Sequence, residues 1–177
     1  MPKIESIVLG GGCFWCTEAV FSMIKGIESV TPGYAGGHLK DPTYPQVCNG
    51  DTGHAEVLKV DYDPSVVPLE KLLEIFFEMH DPTTPNRQGA DVGSQYRSII
   101  LWESNEQKSI VEKFVRAAQG NFSNGITTEI RKLDRFYPTE DYHRNYYSKN
   151  RFNPYCALVV RPKVEKIRKE FAKDVKP

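Results

Sequence analysis

The sequence predicts a two-layer α+β domain. Strand-like and helix-like stretches interleave along the chain, and its 177 residues suit a single domain, spanning 1–177, with one sizeable core. No repeat, low-complexity tract or interdomain linker breaks the pattern. Hydrophobic residues make up 40% and charged residues 26%, the balance of an ordinary folded soluble protein.

The elements follow in order. "KIESIVL" (3–9) predicts a strand, and Gly10 to Gly12 then turn the chain. A helix from near Cys13 to about Lys25 follows, because Ala19, Val20, Met23, Ile24 and Ile27 recur at helical spacing. "EVLKVDY" (56–62) predicts a strand stopped by Asp63-Pro64. Leu69, Leu72, Leu73, Phe76 and Phe77 form the apolar face of a second helix. "YRSIILW" (96–102) is a further strand. A helix carrying Ile110, Val111, Phe114, Val115 and Ala118 comes next. "TTEIRKL" (127–133) predicts a strand, "TEDYHRNYYSKN" (139–150) a helix with Pro138 at its start, "CALVV" (156–160) a short strand, and "KVEKIRKEFAK" (163–173) a polar terminal helix. Two intervals lack periodicity: 33–55, rich in Gly, Pro and Tyr, and 80–95, "HDPTTPNRQGADVGSQ". Their aromatic and polar content marks them as functional coil.

Charge and composition narrow the function classes. Lys+Arg and Asp+Glu both number 23, so no broad positive field is present to hold a phosphate backbone, and nucleic-acid binding is not expected. "MPKIESIVLGGG" lacks the apolar stretch of a signal peptide, and polar residues interrupt the chain too often for a membrane span. A cytoplasmic location is expected. Cys13, Cys16, Cys48 and Cys156 are too few for a secreted disulfide scaffold; in a reducing compartment such cysteines are buried, metal-bound or catalytic.

"GGCFWCTE" (11–18) carries the chemistry. A cysteine at a helix N-terminus meets free backbone N–H groups and the positive end of the dipole, which favour the thiolate. The glycines before it permit close approach of another molecule, and Phe14 and Trp15 supply an apolar wall. Cys13 is therefore a candidate nucleophile; the alternative is a small buried hydrophobe. A phosphate loop is excluded by the missing Gly-Lys-Ser/Thr ending, and a dinucleotide loop by Trp15 where glycine is needed. A zinc site lacks a second Cys-x-x-Cys. A thioredoxin-like dithiol pair fits the motif but not the single strand that precedes it.

In "TGHAEVLKVDY", alternation puts Glu56 on the same face as Leu58, Val60 and Tyr62. A carboxyl on an apolar face holds its proton more tightly and serves as a general acid near neutral pH. The alternative is a strand-end glutamate turned to water or paired with an arginine. In "EDYHRNYY", Glu140, Asp141 and His143 are expected to support the pocket without binding metal.

These segments together resemble the peptide methionine sulfoxide reductase A family. "GGCFWCTEAVF" is similar to its signature, and "GYAGGHLKDPTYPQVCNGDTGHAEV" (33–57), "HDPTTPNRQGADVGSQYRSI" (80–99) and "EDYHRNYY" (140–147) resemble further family segments in the same order. The resemblance implies a ferredoxin-like two-layer core wrapped by long coil, and thiol-dependent reduction of methionine S-sulfoxide, free or in proteins, with thioredoxin as reductant. It implies catalysis by Cys13, acid catalysis by Glu56, a methyl-binding pocket of Phe14 and Trp15, and hydrogen bonding around the sulfoxide oxygen by Tyr44, Tyr96 and Asp91. No cofactor is implied beyond an external reductant, thioredoxin or dithiothreitol, and the enzyme is expected to be a monomer.

The residues themselves supply a matching chemistry. Sulfoxide sulfur is a poor electrophile until its oxygen is protonated or tightly hydrogen-bonded, so a thiolate, a neutral carboxylic acid and two phenols form a working set. The resulting sulfenic acid on Cys13 condenses with a second thiol. Many family members carry glycine where this chain has Cys16, and Cys156 lies where other members place a C-terminal resolving cysteine. Proximity favours Cys16, three residues from Cys13; Cys156 is the alternative. Cys48 is expected to be a buried, unreactive thiol; the alternative is a second relay. Two competing functions remain at this point: a dithiol–disulfide exchanger using Cys13 and Cys16, and a binding module for oxidised methionine or metal.

Overall fold

The computed structural model describes residues 3–177. Six strands form one mixed sheet in the order β7-β6-β1-β3-β2-β8. They are β1 (Glu5–Gly10), β2 (Ile27–Ala35), β3 (Ala55–Tyr62), β6 (Ile99–Trp102), β7 (Glu129–Lys132) and β8 (Phe136–Pro138). All neighbours are antiparallel except β6 and β7. Two short strands, β4 (Arg87–Gln88) and β5 (Asp91–Val92), make a separate hairpin. The helices are α1 (Phe14–Phe21), α2 (Tyr44–Cys48), α3 (Leu69–Met79), α4 (Asn105–Ala118), α5 (Tyr146–Lys149) and α6 (Arg161–Glu170).

Alternation along the strands divides the core. Ile7, Leu9, Leu58, Val60, Tyr62 and Ile100 face the helices and join Val20, Phe21, Leu72, Leu73, Phe76 and Ile167 in the main cluster. Val8, Ala35, Ala55, Val57, Ile99 and Leu101 point the other way into a smaller cluster under Leu133 and Phe136. Complete burial of each large aliphatic or phenylalanine side chain contributes about 1.5–3 kcal/mol. The helical layer, with most of these groups, therefore carries most of the hydrophobic stabilisation. Gln107 of α4 ties that layer to β1 by donating Nε2–H to the Ser6 carbonyl at 2.8 Å.

Several elements differ from the sequence expectation. Helix α1 stops at Phe21, because Gly26 turns the chain at φ 88° and Ile24 bridges to Val175. Ile27 thus begins β2, a strand hidden in the sequence by its internal Pro32 and Gly33. The 96–102 segment pairs only from Ile99, and Ser94–Tyr96 is a 3₁₀ turn. The 139–150 helix is instead a turn over Asp141–His143 and the short α5, separated by Asn145 at φ 54°. "CALVV" is no strand. Cys156–Val160 is a π-helical turn that runs straight into α6.

Candidate active site

The site lies at one end of the sheet, where β1 and β2 finish and β3 begins. Tyr34 and Glu56 are direct partners across β2 and β3. At the end of β1, Gly11 leaves room only for the His80 ring, which a Cβ would meet at 2.7 Å, and Gly12 adopts φ 86°, a left-handed conformation that glycine accepts without strain. The Gly12 N–H donates to the Tyr96 carbonyl at 3.2 Å. This turn delivers Cys13 to the N-cap of α1 and brings Tyr96 beside it.

Cys13, Phe14, Tyr34 and Val47 form a buried cluster against which Trp15, Tyr44, Tyr96 and Tyr155 pack. The Phe14 N–H donates to Glu56 Oε1 at 3.2 Å, so the first free amide of α1 holds the carboxyl in place. Glu56 Oε2 is buried without a hydrogen-bond partner among the described residues. Burial, with a smaller contribution from Asp91, pushes the Glu56 carboxyl up to about 8 against the pull of the Phe14 amide. Glu56 is thus mostly neutral at neutral pH.

Cys13 departs from its expected state. The Trp15 backbone N–H does favour the thiolate, but burial and then the Glu56 charge outweigh it, and the thiol is held well above the usual cysteine range. The helix terminus is one amide against a dry, acid-lined cup. The resting site therefore carries a proton on both Cys13 and Glu56.

The remaining expected residues are placed around this pair. Burial first, and then the Glu56 charge, raise the phenols of Tyr44 and Tyr96, so both remain hydrogen donors. Asp91 accepts from the Tyr155 hydroxyl at 2.6 Å. Phe14 packs on Tyr34 and Tyr44 with ring centroids 5.7 and 6.3 Å away. Trp15 stacks on Tyr146 at 3.7 Å, and its indole N–H donates to His143 Nδ1 at 3.1 Å. Glu140 accepts from the Tyr34 hydroxyl and from the Tyr44 amide at 3.2 and 3.3 Å. The short turns of 139–150 therefore brace the cup. Sequence reasoning missed Tyr146 and Tyr155; their only signal was the clustering of tyrosines near "EDYHRNYY" and "NPYC".

All four cysteines are unpaired. Cys16 is fully buried in the main core, as is Cys156. Cys48 corrects the expectation of a buried thiol: it is exposed at the end of α2. Among the described residues, no group of three or more His, Cys, Asp and Glu side chains is arranged to hold a metal ion. No described helix is long and apolar enough to cross a membrane.

Residues 5–175 match the family model described as peptide methionine sulfoxide reductase. Peptide methionine sulfoxide reductase MsrA of Sulfolobus acidocaldarius is 55% identical over 168 residues, covering 95% of this chain and 96% of that protein. Among solved structures, Mxr1 from Saccharomyces cerevisiae in reduced form is similar with a TM-score of 0.81 and 39% identity, over 87% of this chain and 90% of that one. The same yeast protein in complex with Trx2 matches with a TM-score of 0.57 and 28% identity, over 81% of this chain and 85% of that one.

Proposed function

The chain belongs to the peptide methionine sulfoxide reductase A family, and on that premise we propose that it reduces the S epimer of methionine sulfoxide, free or within proteins, through a sulfenic acid on Cys13. The observation that carries this reading is the buried Glu56 carboxyl, fixed by the Phe14 amide beside Cys13, with Oε2 left unpartnered. A neutral carboxylic acid in that position donates its proton to the sulfoxide oxygen as that oxygen gains charge. Tyr44 and Tyr96 donate to the same oxygen, and Phe14 and Trp15 pack against the substrate methyl group.

The step balances. Cys13 sulfur attacks the sulfoxide sulfur, the S–O bond to the substrate breaks, and oxygen passes to Cys13. Methionine is released after a two-electron reduction, and Cys13 is oxidised by two electrons to the sulfenic acid. The thiol proton of Cys13 replaces the one Glu56 has given. A second thiol then displaces water from the sulfenic acid to form a disulfide. Cys16 is the preferred second thiol because it shares a helical turn with Cys13; Cys156 is the competitor. The complex of the yeast relative with Trx2 supports a thioredoxin as the dithiol that reduces this disulfide, with dithiothreitol as a laboratory substitute and no bound cofactor.

Four further features belong to the same reading. The order β6-β1-β3-β2, with α1 and α3 as crossovers on one face, supports a ferredoxin-like core extended by β7 and β8. The family match over 5–175 supports one domain across 1–177. Four free cysteines suit a reducing cytoplasm, and the enzyme is taken to act as a monomer.

Separated sulfoxide epimers provide the test. Turnover of the S form alone, counted as methionine released with excess dithiothreitol, is the expected result; turnover of neither form ends the proposal. A dithiol–disulfide exchanger is distinguished by Glu56→Gln, which would leave protein disulfide exchange unchanged.

A further inference from the structure

Tyr44 and Tyr96 are carried by elements of unequal rigidity. Tyr44 opens α2, whose start is fixed by its own sequence: the Thr43 side chain accepts from the Gln46 amide, and the Gln46 side chain accepts from the Thr43 amide. Tyr96 ends a single 3₁₀ turn, Ser94–Tyr96, which no described side chain caps. Gly93 precedes that turn at φ 146°, a conformation glycine alone adopts readily, so the turn has little stiffness of its own. It is held from outside by the Arg97 guanidinium. Nη1 donates to the Ser94 carbonyl at 2.8 Å, Nη2 to the Gly53 carbonyl at 2.8 Å, and Nε to Glu129 Oε1 of β7 at 3.0 Å. Two neutral bonds also reach the turn, from the Gly12 amide to the Tyr96 carbonyl at 3.2 Å and from Gln95 Nε2 to the Cys48 carbonyl at 3.4 Å. The guanidinium bonds are shorter and charge-assisted, and with the Arg97 side chain only 11% exposed, water competes little for its hydrogens.

Gly53 lies just ahead of Glu56, at the entry to β3, and Ser94 opens the turn that Tyr96 closes. One planar fork therefore ties the segment leading to the acid to the turn carrying the phenol, and Glu129 anchors the fork to the sheet. Resting on the reading of Glu56 and Tyr96 as donors to the sulfoxide oxygen, we propose that Arg97 is a positioning residue for the first step: it sets where the Tyr96 hydroxyl stands relative to the Glu56 carboxyl. Among the described residues its hydrogens go to two backbone carbonyls and Glu129, so it acts through the backbone and not on the reacting atoms. Lysine is no substitute for this task. Its ammonium keeps a charge beside Glu129, but a single point donor does not span two carbonyls in fixed directions. Tyr44 supplies the internal contrast, because none of the three guanidinium bonds touches α2.

The test is a pair of double-mutant cycles in the full chain, read as methionine released from methionine S-sulfoxide in the first turnover, without reductant. Arg97→Met should lower the maximal first-turnover rate by about 10–10²-fold, with less change in the half-saturating concentration, because a displaced phenol donates poorly as the oxygen gains charge. Adding Tyr96→Phe to Arg97→Met should then cost at most about twofold, against about 10–10²-fold in the parent. Adding Tyr44→Phe should cost as much as it does in the parent. Arg97→Lys should show the same coupling to Tyr96, and it carries the test where Arg97→Met does not fold. Full cost of Tyr96→Phe in the Arg97 variants overturns the proposal, as does a parent-like rate in Arg97→Lys. Loss of the Tyr44→Phe cost along with that of Tyr96→Phe also overturns it, since the whole cup has then loosened. A Tyr96→Phe variant as active as the parent overturns instead the reading of Tyr96, and absence of methionine release in the parent overturns the reductase reading itself.

Discussion

Cys13 and Cys16 lie one helical turn apart on α1, and their surroundings differ. Cys13 packs in an aromatic cluster, with the Glu56 and Asp91 carboxyl groups near enough to raise its thiol. Cys16 is fully buried in the core that the helices form. Burial is the largest influence on both thiols, and the Asp91 charge raises both; the Glu56 charge raises Cys13, and the Lys163 charge acts in the opposite sense on Cys16. In the mechanism proposed above, the first step needs a proton delivered to substrate oxygen, and the acid-lined cup around Cys13 suits it.

The strongest break in this comparison is Cys13→Ser, which should abolish methionine release while leaving Cys16, Cys48 and Cys156 titratable as thiols. Glu56→Gln comes next. It keeps the shape and removes the proton, so sulfoxide reduction near pH 7 should fall by about 10²–10⁴-fold. The parent rate should also decline as pH rises through the Glu56 value of about 8, since the acid is lost above it, and that decline should be missing in the glutamine variant.

The same carboxyl affects stability with a defined sign. Its folded-state value of about 8 exceeds the unfolded value of about 4.3, so the folded form binds the proton more tightly. Its contribution is therefore present at low pH and lost as pH rises across that window. Glu56→Gln should accordingly raise the thermal midpoint above about pH 8, where thermal unfolding of parent and variant gives the comparison.

Smaller effects test the walls of the cup. Tyr44→Phe and Tyr96→Phe should each lower kcat by about 10–10²-fold, with less change in KM, as expected for donors used mainly when the oxygen gains charge. Steady-state kinetics on a methionine sulfoxide peptide separates the two parameters. Tyr155→Phe should have the mildest effect, a few-fold on methionine release, because Asp91 loses its partner while Glu56 and the phenols remain. A Tyr155→Phe loss as large as that of Glu56→Gln would mean that the Tyr155–Asp91 contact matters to the first step as much as Glu56 does.

Cys13, Phe14, Trp15 and Glu56 were legible in the sequence because their signals are local: a cysteine after a glycine turn, and a carboxyl on an alternating apolar strand. Tyr44, Tyr96 and Asp91 carried no such pattern and were reached only through family resemblance. Strand β2 was obscured because Pro32 and Gly33 are poor strand formers, yet pairing with β3 and β8 on either side stabilises it. The 156–160 segment shows the reverse. "CALVV" has strand composition, but continuation into α6 places Cys156 and Val160 on a buried helical face.

By itself the sequence determined the mixed α+β class, a cysteine at the head of a helix, and a carboxyl on a buried strand, because each depends on neighbours within a few residues. Only the tertiary structure decided the protonation of that cysteine and the separate settings of Cys13 and Cys16. Desolvation and Coulomb interactions are set by distances in space: Glu56, Asp91 and Tyr155 lie 40 or more positions from Cys13 along the chain, and folding brings them to one short helix.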